Sequence, residues 1–168
     1  MLKIENTEFE IKSAEMNIRQ RMYEGNNVVT FILNVEFYPE FVNDGIVNGA
    51  LEAKIDMEGI HALDDLVDNS YEGDIGSVTI SVNNNGIWEH QNVDNFQVKF
   101  GKRSGRKLEV SLETDNCKLA TDVVMVSLYT TSSSEEELMK NFDLGDFYEV
   151  KQVKEIGKSQ VIKYFVKK

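Results

Sequence analysis

The chain has 168 residues with 41% hydrophobic and 28% charged positions, enough for one domain with its own apolar core. One proline and eleven glycines exclude collagen-like and low-complexity classes, and no apolar run reaches the roughly 18 residues that span a bilayer. The formal net charge of −11 opposes binding to nucleic acid and to anionic membranes.

The acids are unevenly spread. Residues 22–98 hold 14 acids against one base, Lys54. Five bases then arrive within nine residues: Lys99, Lys102, Arg103, Arg106 and Lys107. The opening MLKIENTEFE has no apolar stretch of the kind a secretory signal needs, and the single cysteine, Cys117, cannot form an internal disulfide. Together these features lead us to expect a cytoplasmic protein with no membrane partner and no direct nucleic-acid partner.

In chain order, residues 7–22 read as one or two strands, and Glu24-Gly25-Asn26-Asn27 as a turn. VVTFILNVEFY (28–38) is the longest β-rich run, with Val29, Phe31, Leu33, Val35 and Phe37 on one face. Pro39 should end it by removing a ladder donor. Residues 41–48 read as a loop, and Leu51, Ala53, Ile55 and Met57 as the next strand. In residues 59–68 the spacing of Ile60, Leu63 and Leu66 or Val67 changes to three to four, which predicts a short helix with Asp64, Asp65 and Asp68 on its polar side.

Residues 77–114 contain three period-two sets: Val78, Ile80, Val82; Phe96, Val98, Phe100; and Leu108, Val110, Leu112. Turn residues at 83–86 (NNNG) and 103–106 (RSGR) suggest an antiparallel meander. DVVMVSLYT (122–130) is a further strand, the serines and glutamates of 131–137 predict a second short helix, and 147–156 with 160–166 form a closing hairpin. The expected fold is a single domain over 1–168. It is all-β, mainly antiparallel, with two short helices. A two-sheet β-sandwich of jelly-roll or immunoglobulin-like type comes first and a closed barrel second.

Local motifs for chemistry are weak. His61 and His90 lack the paired spacing of a zinc site, so no metal and no cofactor are expected. Residues 68–75 alternate oxygens like a calcium loop with Gly73 at its sixth position, but the twelfth is Thr79 where a bidentate glutamate is required. Residues 101–107 place glycine and bases around Ser104, yet no helix follows to hold an anion; a charged hairpin tip, or a salt partner for the acids, accounts for them better. No nucleophile elbow or phosphate loop is present, so no enzyme activity is expected.

Two functional readings remain. The first is a non-enzymatic, acidic protein-binding module for a basic partner, as immunity proteins and DNA-mimicking inhibitors are. Asp64, Asp65, Asp68, Glu72 and Asp74 form its candidate binding face. The second is a ligand- or carbohydrate-binding or virion-type structural protein with a site at Trp88 and His90. Tryptophan is usually well buried, which makes burial the expectation for Trp88.

Overall fold

The computed structural model describes residues 1–43, 45–73, 75–130, 148–156 and 160–167. The expected helix over 131–142 lies outside them. Thirteen strands are present: β1 (Leu2–Ile4), β2 (Thr7–Phe9), β3 (Ile11–Tyr23), β4 (Asn26–Val42), β5 (Gly45–Glu58), β6 (Ser70–Gly73), β7 (Gly76–Asn84), β8 (Ile87–Val93), β9 (Phe96–Ser104), β10 (Lys107–Glu113), β11 (Cys117–Thr130), β12 (Tyr148–Ile156) and β13 (Gln160–Lys167).

All thirteen join one mixed sheet whose main path runs β6-β9-β10-β11-β3-β4-β5-β7-β8. The all-β, mainly antiparallel expectation holds. The strands form one continuous sheet curled into a half-barrel, however, and the expected division into two sheets is not seen. Its cause is β11, a 14-residue strand whose two halves have different neighbours. Its first half pairs with β10 on one side and β1 on the other; its second half pairs with β13 and, in parallel, with β3. That shared strand joins what would otherwise be two separate layers.

The curl is visible in the core. β4 and β9 are four strand steps apart, which in a flat sheet separates them by about 19 Å. Yet the rings of Phe31 and Phe100 meet edge to face at 5.1 Å. One concave face therefore folds onto itself. It buries Val29, Phe31, Leu33, Val35 and Phe37 of β4 with Leu51, Ala53 and Ile55 of β5. From the other wall come Val98, Phe100, Val110, Val123 and Met125. The period-two sets named from the sequence supply most of these positions.

Four local expectations are corrected. Pro39 does not end β4; the strand continues to Val42 through a register shift between Phe37 and Glu40, where a bulge spares the ladder the missing donor. Residues 41–48 are not a loop but a hairpin tip, with Phe41 opposite Ile46 and Val42 opposite Gly45. The helix expected over 59–68 shrinks to a 3-10 turn at Leu63–Leu66, which buries Leu63 and Leu66 against the core. One turn suffices there because only those two side chains and Ile60 have core to fill.

The fourth concerns the meander. β7 pairs with β5 and β8, whereas β9 pairs with β10 and β6, so neighbouring segments lie at opposite ends of the sheet path. Between them is β8, IWEHQNV, a strand with no apolar alternation. The turns themselves are as expected: Asn85 and Gly86 take φ of 50° and 89°, which the asparagine and glycine tolerate.

Candidate functional site

The expected acidic face starts at the 3-10 turn and runs into β6. Asp65 is held by structure: its Oδ2 accepts hydrogen bonds from the amides of His61 and Ala62 at 2.7 and 2.8 Å. These are orphan donors at the start of the turn, and a carboxylate there satisfies them. Asp64 faces Arg103, whose Nε donates to Asp64 Oδ1 at 2.7 Å. The basic β9–β10 tip thus folds back onto the acids. Asp68 sits at φ 58° on the exit of the turn, exposed. Glu72 projects from β6 and accepts a bond from Gln97 Nε2 at 3.3 Å. Asp74 lies outside the described residues.

Glu72 has partners that sequence reasoning missed. A groove of about 760 Å³ is lined by Glu72, Glu113, Asp115 and Lys118, with the Phe96 and Gln97 region as its floor. Antiparallel pairing brings this about, since Glu72 stands opposite Gln97 and Gln97 opposite Glu113. Lys118 is paired to Glu113, leaving the groove with a surplus of carboxylate.

Trp88 and His90 belong to the far edge. Trp88 is 54% exposed, contrary to the expected burial. The reason is position: among the described residues β8 is the last strand of the path and bonds only to β7, and its side chains are exposed on both faces. Trp88 and His90 stand two residues apart on one face, with parallel rings 6.3 Å between centroids and 6° between planes. Ser81 Oγ lies 2.9 Å from His90 Nδ1, and Thr79 Oγ1 donates to Asn92 at 2.8 Å. This face combines an aromatic platform with hydroxyl and amide groups. Glu89 points to the opposite face, so the Ser81–His90 pair has no carboxylate from β8 to orient it as a triad would.

Among the described residues most exposed large hydrophobic side chains gather at this corner. Tyr38, Phe41, Ile46, Ile87 and Trp88 all belong to the β4–β5 and β7–β8 hairpins; Met1 stands apart. The two tips are tied together, with the Ile46 amide donating to Asn85 Oδ1 at 3.3 Å.

On the concave side of the same corner is a cleft of about 450 Å³. The β1–β2 hairpin supplies Ile4, Glu5 and Phe9, and the far wall includes Val47, Ile80 and Glu89. Among the described residues no group of three or more histidine, cysteine or acidic side chains is placed to hold a metal ion. Among them, too, no helix is long and apolar enough to cross a membrane. Cys117 is buried, and burial pushes its thiol up to about 12. No protein family, curated protein or solved structure matches the chain.

Proposed function

We propose that the protein is a non-enzymatic, acidic module that binds a basic partner protein, in the manner of an immunity protein or a DNA-mimicking inhibitor. The observation that carries this reading is uncompensated surface charge. Glu58, Asp68 and Glu89 are exposed and form no ion pair among the described residues. Such a surface speeds encounter with cationic proteins and repels nucleic acid and anionic lipid. Cytoplasmic residence belongs to the same proposal and is consistent with a lone, buried thiol.

The test is retention from host lysate at low and at high salt, with identification by mass spectrometry. The variant Asp64→Asn/Asp68→Asn/Glu72→Gln is run beside the wild type, and Asp65 is left intact because it holds the turn. A single basic protein, lost as salt rises and lost by the variant, supports the proposal. Retention insensitive to both, or no retention, sinks it.

A second reading rests on Trp88. Its exposure beside His90, on the face that also carries the hydroxyls of Ser81 and Thr79, suits stacking on a sugar ring. A glycan that quenches or shifts Trp88 emission favours it.

A further inference from the structure

Among the described residues the sheet path ends at β8, and its backbone is unpaired on one side. Asn85 and Gly86 make a two-residue turn with both φ positive, the primed hairpin type. In such a hairpin the flanking residues, Asn84 and Ile87, exchange both ladder bonds, and every second pair after them does the same. Ile87, Glu89, Gln91 and Val93 are therefore satisfied by β7. The peptide groups of Trp88, His90 and Asn92 point the other way, toward open edge.

Natural edges are usually blunted by charged side chains, lysine above all, by proline, by bulges or by shortness. β8 carries Glu89, on the cleft side, and none of the others. It runs for seven residues without a register shift against β7, and its composition includes exposed Ile87 and Trp88.

The surroundings of this edge state what can occupy it. A strand laid along β8 sends alternate side chains to opposite faces. One set enters the cleft, whose walls are apolar at Phe9, Val42, Val47 and Ile80 and which carries the carboxylates of Glu5 and Glu89. Among the described residues no lysine or arginine lines it. An apolar stem with a cationic head fits such a space. The other set lies beside the Trp88–His90 stack, where a cation also finds an aromatic face. A second copy of the chain is a poorer occupant, since each copy carries −11.

We propose that the free edge of β8 takes an extended, basic segment of a partner protein as an added antiparallel strand, with alternate Lys or Arg side chains entering the cleft beside Glu5 and Glu89. Main-chain bonds supply the affinity and the cleft supplies the selectivity, as in other strand-addition complexes. The inference rests on the basic-partner reading and adds to it the place and the conformation.

The probe is a fluorescein-labelled octapeptide alternating Lys and Val, compared with a Glu/Val octapeptide by fluorescence anisotropy at low salt. Two variants are used. His90→Pro removes a donor at the open edge and leaves the bonds to β7 in place. Glu5→Gln/Glu89→Gln removes the cleft charges and keeps the backbone. Thermal unfolding of each establishes that it is folded.

We expect the Lys/Val peptide to bind and the Glu/Val peptide not to. Each variant should weaken binding at least tenfold, and bound peptide should slow amide exchange at Trp88, His90 and Asn92. Binding that ignores both variants and leaves exchange unchanged overturns edge addition while the acidic-binder reading stands. No binding of the peptide, with a basic protein still retained from lysate, does the same. No binding in either experiment overturns both. A β8-dependent dimer in sedimentation overturns the choice of occupant.

Discussion

The two ends of the sheet path are built by opposite rules. β6 is four residues long and pinned from several directions. Tyr71 packs edge to face on Phe100 at 6.0 Å, the Phe100 amide donates to Asn69 O at 2.9 Å, and the preceding turn is tied by Asp65 and by the Asp64–Arg103 pair. β8 is nearly twice as long and has exposed side chains on both faces. One edge is closed by shortness, charge and packing; the other is longer and exposes Ile87 and Trp88.

The largest way to break this comparison is to remove the contact that anchors the β6 side. Phe100 is fully buried, touches Phe31 across the curl and Tyr71 on β6. Phe100→Ala should lower unfolding free energy by about 3–5 kcal/mol in urea titrations. It should also accelerate amide exchange in β6 before β8. A loss below about 1 kcal/mol would mean the walls do not depend on that pair.

Alkaline pH sharpens the same contrast. Burial raises the Cys117 thiol from its ordinary 9.0 to about 12, so between those values the folded state holds a proton the unfolded chain has released. Stability must then fall as pH rises, by up to about 1.4 kcal/mol per unit inside that window. Tyr71 adds the same sign, raised first by burial and then by the charge of Asp65. Melting temperatures from pH 8 to 11 should decline in the wild type and decline less steeply in Cys117→Ala. The slope left in that variant carries Tyr71 on β6 together with Lys12, whose ammonium is raised by its bond to Glu36.

Half of this architecture was legible in the chain because burial leaves a period. Val29 through Phe37, Phe96 through Phe100 and Leu108 through Leu112 alternate because one side of each faces the concave core. Where a strand has no buried face the signal disappears, and β8, with IWEHQNV exposed almost throughout, carries no such period. The average burial of tryptophan misleads at Trp88 because that average describes cores, not the last strand of a sheet. Long-range partners were equally hidden: Arg103 meets Asp64 from 39 positions away, and Glu113 joins Glu72 only through the order of β6, β9 and β10. The parallel pairing of β3 with β11, which merges the layers, spans most of the chain and leaves no local mark.

A smaller effect separates the acids of the β6 side from one another. Asp65 accepts two otherwise orphaned amides, so Asp65→Ala should cost about 1 kcal/mol, as a lost helix cap does. Asp64→Asn breaks a pair whose carboxylate is largely in water, and about 0–1 kcal/mol is expected. Chemical denaturation of the two variants side by side checks the order. Equal losses would mean that the ion pair holds the turn before β6 as much as the cap does.

The smallest effect is expected at the open edge. Trp88 is 54% exposed, and its ring contact among the described residues is His90, itself on the surface. Trp88→Ala removes no core volume and leaves no polar group stranded, so unfolding free energy should move by no more than about 0.5 kcal/mol. Wild-type tryptophan emission should sit at the long wavelength of a wet indole, because Trp88 is the one tryptophan in the chain. The substitution should nonetheless weaken capture of the Lys/Val peptide, since it takes away the aromatic face beside the added strand. Near-silence in stability combined with loss of binding is the behaviour of a side chain kept for contact with a partner. A loss above 2 kcal/mol with a blue-shifted wild-type emission would instead show Trp88 packed and β8 covered, and the contrast between the two edges would fall with it.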